Sequence, residues 1–298
     1  MQKKMLAVLL ILIINIHAAA LADKGLSSAF PPDSATAACV PQIADGLSLP
    51  LLPVQDGDAG SAANLMLADP ECVLLGSQDV LIAGLQGYTN EDLRVKMKPA
   101  CSLAVSPLFL TMDRNVADGY GITDFASLRT YVSSHEYDLT FARHVGADPV
   151  DLAVTRLADE MEVLTDYFLV EEVPDVLRNG EAAAGVFSGE DLAASGEDWL
   201  ILCCLGTERS SLYADVPCAP EIGLTPCTGK LLCLFMSSEA SDESVSAVCK
   251  AAEFLVDSLP AGYEPCYVAG SVFTQTILDL FADYKEYMTS EGLFFYEE

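Results

Sequence analysis

Basic residues are scarce: 15 Lys and Arg stand against 44 Asp and Glu over 298 residues, with three His and one Trp. A net charge of −29 excludes nucleic-acid binding through a general phosphate field, because no excess of cations is available to displace counterions. The same charge repels anionic lipid surfaces. The motifs that announce chemistry are also missing. There is no Gly-x-Ser-x-Gly elbow, His-Glu-x-x-His, phosphate loop or dinucleotide fingerprint, so no catalytic residue and no cofactor are assigned. Without a Cys-x-x-Cys, and with His17, His135 and His144 far from ligand spacing, a zinc site is excluded and no metal is expected. Beyond the first residues no uncharged apolar stretch reaches the length of a membrane span, so the mature chain is not expected to insert into a bilayer. Ample apolar sequence remains: 51% of residues are hydrophobic, which excludes a disordered chain.

The start of the chain carries an export pattern. Lys3 and Lys4 precede an apolar run over 5–16, and Ala18, Ala19, Ala20 and Ala22 supply small residues for a peptidase. This predicts a signal peptide over 1–22, cleaved after Ala22 or, nearly as well placed, Ala20. Removing the two lysines leaves a mature chain that is more acidic still. An exported chain with ten cysteines permits disulfides, but most sit inside apolar runs and read as small core residues. Only Cys218 and Cys227, in a Pro-rich segment, invite a bridge.

Short apolar runs at 49–54, 73–76, 103–112, 139–141, 182–187, 200–205 and 231–236 read as strands. They lack period-two polarity, as strands covered by helices on both faces do. Helical segments lie between and after them at 34–47, 124–133 behind the cap candidate Thr123, 148–164, 171–179 closed by Gly180, 241–259 stopped by Pro260, and 271–287. The alternation predicts an α/β protein with mainly parallel sheets. The acidic run from Asp113 to Gly119 misses calcium-loop spacing and is expected to be a turn. The repeated Ser-Gly-Glu-Asp at 188–191 and 195–198 is expected to be a solvated loop, and pairs such as Glu171–Glu172 are chance neighbours in so acidic a chain.

Taken in order, several segments resemble the periplasmic solute receptors of tripartite tricarboxylate transporters, the Bug-type receptors. Residues 29–36, Ala-Phe-Pro-Pro-Asp-Ser-Ala-Thr, are similar to that family's first strand-to-helix loop. Leu49-Pro50 with 58–61, and Leu-Leu-Gly-Ser at 74–77, resemble the next strand, turn and second pocket loop; Ser-Pro-Leu-Phe-Leu at 106–110 resembles the strand that follows. Phe-Ala-Arg-His-Val-Gly-Ala-Asp-Pro at 141–149, with Leu152 and Ala153, aligns with the third pocket loop. Tyr167 falls at the Tyr of that family's Pro-Tyr-Lys-Gly, Gly180-Glu181 at its Gly-Glu or Gly-Gln, and Arg209-Ser210, 215–217 (Asp-Val-Pro) and Glu221-x-Gly223 match the most specific segment.

The resemblance implies a two-lobed periplasmic-binding-protein fold of type II. Lobe one would be 23–112 plus 230–298 and lobe two 113–229, with a cleft that closes on a solute. It implies a periplasmic monomer that captures a small organic solute, carboxylate or amino-acid-like, and delivers it to membrane permease subunits. The alternatives are a ligand sensor for a signalling partner, told apart by neighbouring genes, and an enzyme whose turnover would need Arg143 or His144. The site residues it implies are Asp33, Ser34 and Thr36; Gly76, Ser77 and Asp79; Arg143, His144, Gly146 and Asp148; and Tyr167. Three helix starts would offer backbone N–H groups to a carboxylate, with Pro149 suited to a first helical turn. The chain departs from the pattern by carrying Asp33, Asp79 and Asp148 in those loops, by losing a Lys beside Tyr167, and by gaining Arg143. Those charges would repel a di- or tri-anion, so the expected ligand has at most one carboxylate, paired to Arg143 and to one of the aspartates. The competing reading makes the aspartates helix caps facing solvent.

Overall fold

The computed structural model describes residues 27–29, 59–135, 138–144, 146, 148–196, 199–253 and 259–293. The expected signal peptide, strand 49–54 and helix 34–47 lie outside the described residues, as do Asp33, Ser34 and Thr36.

The first compact unit takes the described residues up to Val105, then 231–260 and 265–293. It opens with β1 (Ser27–Ala29), α1 (Ala59–Ala68), β2 (Cys72–Gly76), α2 (Asp79–Leu85) and the short α3 (Leu93–Lys96), which leads into β3 (Met97–Ser106). The second unit is 106–230 with 261–264. It runs through β4 (Leu108–Asp113), α4 (Arg114–Tyr120), α5 (Phe125–Ser134), β5 (Thr140–His144), α6 (Pro149–Met161), β6 (Leu164–Phe168), α7 (Val173–Asn179), β7 (Ala184–Ser188), α8 (Gly189–Ser195) and β8 (Trp199–Cys204). The chain then returns through β9 (Lys230–Ser237), α9 (Asp242–Ala252), β10 (Glu264–Ala269) and the long α10 (Gly270–Ser290).

Each unit is built on one five-stranded sheet, ordered β1-β2-β9-β3-β10 in the first and β6-β5-β7-β4-β8 in the second. The sheets are mixed. β1 runs parallel to β2 and β5 parallel to β6 and β7, but β9 opposes β2, and β4 opposes both β7 and β8.

The missing polarity of the strands has a direct cause in β4. Leu108, Leu110 and Met112 enter one core with Phe125, Phe141 and Leu157, while Phe109 enters another with Leu177, Leu192 and Trp199. Alternate side chains of a strand point to opposite faces, so a strand with a core on each face reads as one apolar run. The first sheet's β2 is buried along its whole length for the same reason. Along α10, Phe273, Ile277, Leu280, Phe281, Tyr284, Tyr287 and Met288 form the inward stripe at helical spacing.

Several expectations are corrected. The run 103–112 is two strands in different sheets, parted at Pro107, so the chain leaves the first unit at Val105 rather than near Met112. Proline fixes φ and lacks the N–H a continuing ladder needs. The cap of α5 is Asp124 rather than Thr123: its carboxylate accepts from the Ser127 N–H at 2.8 Å, and the Ser127 hydroxyl answers the Asp124 N–H at 3.0 Å. Asp113 heads helix α4, accepting from the N–H groups of Asn115 and Val116, where a turn was expected. Ser188 is buried and caps α8 in a reciprocal pair with Asp191, so the first Ser-Gly-Glu-Asp copy is a helix start, not a solvated loop. Helix α6 stops at Met161, leaving Leu164 to β6. No disulfide joins any of the nine described cysteines, Cys218 and Cys227 included. Cys203 shows the core role plainly: burial pushes its thiol up to about 12.

Candidate functional site

The second unit concentrates its polar chemistry in the turn from β5 to α6. Arg143 and His144 close the strand, both buried. Asp148 caps the helix and Pro149 begins it, filling the position whose N–H has no intrahelical partner. Asp148 serves two partners: one oxygen accepts from the Asp151 N–H at 2.8 Å, the other lies 2.7 Å from His144 Nε2. Asp151, in the first turn of α6, accepts from Arg143 Nε at 2.7 Å. Arg143 is the cross-strand neighbour of Tyr167 on β6, and its guanidinium carbon sits 4.8 Å from that ring's centroid. Gly146 lies beside the imidazole, where an added Cβ would meet His144 Cδ2 at 3.4 Å.

The loop therefore holds two acid–base pairs. Burial opposes the His144 imidazolium, but the Asp148 hydrogen bond and the charges of Asp148, Asp151 and Asp191 outweigh it, and its pKa lies above the usual 6.5. Burial likewise opposes the Asp148 carboxylate, yet the bond and charge from His144, the Asp151 N–H and the charge of Lys230 hold its pKa below the usual 3.8. Arg143, expected to pair with a ligand, is ion-paired with Asp151, a residue outside the expected set. Asp148 is indeed a helix cap, but half-buried against His144 instead of facing solvent freely.

A second cluster was not anticipated. The Lys230 ammonium is 3.5 Å from Glu190, and the Tyr263 hydroxyl donates to the same carboxylate at 3.0 Å. The Glu190 N–H donates to Ser106 Oγ at 2.9 Å, and that hydroxyl donates to the Gly262 carbonyl at 3.0 Å. Burial leads in raising the Glu190 pKa, against the opposing pull of Lys230 and Tyr263. These residues are far apart in sequence, so only their adjacency makes them a cluster. No spacing signal announces it.

In the first unit, Gly76, Ser77 and Asp79 form the β2–α2 turn. Ser77 is buried and donates to Asp79 Oδ2 at 2.7 Å, and its oxygen accepts from the Asp79 N–H at 3.2 Å. Gln78 beside it accepts from the Leu231 N–H at 2.7 Å. A Cβ on Gly76 would come within 2.8 Å of Val80 Cγ2, so a larger residue there would have to displace the Val80 side chain.

The segment 209–223 is held together internally. Arg209 Nε reaches both Glu221 oxygens at 3.0 and 2.8 Å, Glu221 also accepts from the Cys218 N–H, and Gly223 takes φ +74°. Among the described residues no group of three or more His, Cys, Asp or Glu side chains is placed to hold a metal ion. No helix among them is long and apolar enough to cross a membrane.

No protein-family model matches the chain, and no curated protein matches its sequence. Its fold does match solved structures, and it is the fold of the periplasmic solute-binding proteins. A TctC solute binding protein from Polaromonas superposes with a TM-score of 0.73 at 16% identity, over 89% of this chain and 98% of that one. A Rhodopseudomonas palustris protein solved with adipate gives 0.66 at 14% identity, over 90% and 97%. MatC from Rhodopseudomonas palustris, solved with bound malate, gives 0.62 at 15% identity, over 88% and 98%.

Proposed function

We propose that this chain is a divergent member of the tripartite tricarboxylate receptor group, exported to the periplasm, where it captures a small organic solute without transforming it and delivers it to membrane permease subunits. The supporting observation is that the two-sheet α/β fold covers almost the whole chain and almost the whole of three solute-binding proteins, two of them holding dicarboxylates. Within the second unit, we assign His144, Gly146, Asp148 and the exposed edge of Tyr167 to the solute, with Arg143 steadying Tyr167 from beneath. Gly76, Ser77 and Asp79, with Asp33, Ser34 and Thr36, are assigned the same role in the first unit.

Charge sets the ligand class. Arg143 is neutralised by Asp151 and His144 by Asp148, so this turn brings no net positive charge to a polyanion. Backbone N–H groups at the start of α6 remain suited to a single carboxylate. The expected solute carries at most one carboxylate, with an amine or neutral groups elsewhere. A thermal-shift panel of monocarboxylates, amino acids, malate, adipate and citrate tests this. A ligand at 100 times its dissociation constant adds about 2.7 kcal/mol of stability, so a clear rise in Tm is expected with a monocarboxylate or amino acid. A larger rise with citrate would overturn the ligand class, and no rise with any solute would overturn the receptor.

A further inference from the structure

Four thiols of the first unit gather around β3. Cys233 on β9, Cys101 on β3 and Cys266 on β10 stand on adjoining strands, and Cys249 reaches the sheet from α9. The Cys249 thiol donates to the Ala100 carbonyl at 3.2 Å, the residue next to Cys101. That contact sets the Cys249 sulfur against the peptide unit that joins Ala100 to Cys101. The Tyr267 hydroxyl holds the Cys249 carbonyl at 3.0 Å, fixing that turn of the helix over the sheet. A helix thiol held against the strand backbone next to a strand thiol meets the first requirement of a disulfide, which is proximity.

The two thiols differ in burial. Cys101 is fully buried, whereas Cys249 is only partly so. We propose that Cys101 and Cys249 are a dithiol that closes to a disulfide on exchange with a small-molecule disulfide.

The neighbouring Cys101 also lowers the Cys249 thiol, while Cys249 and burial raise Cys101 well above the ordinary thiol range. Cys249 therefore attacks and Cys101 resolves. The Cys249 thiol gives its proton to solvent, and its sulfur attacks one sulfur of the oxidant, breaking that S–S bond and releasing the first thiolate. Cys101 then loses its proton and attacks the Cys249 sulfur, expelling the second thiolate. The chain is oxidised by two electrons and the oxidant reduced by two. The new bond closes a loop that contains the whole 106–230 segment.

The test uses the full chain, reduced and then exposed to excess oxidised glutathione, quenched with acid, denatured and alkylated with iodoacetamide. The expected result is two fewer alkylated thiols than in a sample kept in dithiothreitol, with a linked peptide pair carrying Cys101 and Cys249. C249S is expected to abolish the link and C266S to retain it, each checked for native circular dichroism. Full alkylation after oxidation, a glutathione adduct left on Cys249 with Cys101 still alkylated, or a link between a different pair would each overturn the proposal.

Discussion

Arg143 is the residue whose role changes most between sequence and structure. As the cation gained in a pocket-like loop, it invites a ligand. In the fold it is buried against Asp151 and covered by Tyr167. Removing one member of a buried ion pair strands the other charge, at a cost of roughly 3–5 kcal/mol. Asp151→Ala should therefore lower the urea midpoint sharply, and Arg143→Ala comparably; a loss under about 1 kcal/mol would show the pair to be solvated. His144 adds a pH dependence. Its pKa is raised on folding, so its stabilising contribution is complete below the unfolded value of about 6.5 and is lost as pH climbs through the higher folded value. Asp148 acts in the opposite sense, its contribution fading as pH falls from about 3.8 through its lower folded value. His144→Gln should flatten the alkaline-side decline of Tm above about pH 6.5; an unchanged slope would assign that decline to other groups. The sequence places His144 and Asp148 in one short loop but does not announce that they pair. Asp151 was not legible, since its meaning depends on helix α6 folding back over the end of β5.

At the scale of elements, local chemistry reads well and connections read poorly. Pro149, Gly180 and the helical stripe of α10 mark their elements in the sequence, and the structure places elements there. The ten-residue apolar run 103–112 misleads because strands with a core on each face look alike in either sheet, and Pro107 is the only local sign of the change. The α8 start shows a constraint of another kind. Gly262 has φ +84°, and an added Cβ would lie 2.3 Å from the Gly189 carbonyl oxygen, a backbone atom that cannot swing away. Gly262→Ala must therefore shift one backbone or the other, at a cost of roughly 1–3 kcal/mol. Chemical denaturation should show it, with Gly196→Ala as a control for left-handed strain alone, since nothing lies within 4 Å of that site. Equal losses in the two variants would remove the close approach as the cause.

For the whole molecule the governing quantity is the charge of −29. Self-repulsion among so many carboxylates weakens the folded state, and salt screens it as the Debye length falls from about 30 Å at 0.01 M to about 8 Å at 0.15 M. Tm should therefore rise by several degrees across that range of sodium chloride, reversing the trend expected if attractive ion pairs dominated the balance. A flat or falling profile would show the acidic surface to be locally compensated.

The sequence by itself determined the α/β class, the acidic surface, the helix ends marked by Pro and Gly, and the apolar strands, because each depends on residues close together along the chain. Only the tertiary structure decided that the sheets are mixed, that Arg143 belongs to Asp151, that Lys230 meets Glu190 and that the Cys249 thiol reaches the strand backbone at Ala100. Those partnerships follow from which strands lie side by side and how helices cross them. That choice is made by the combined burial of many side chains, and it leaves no mark at any single position.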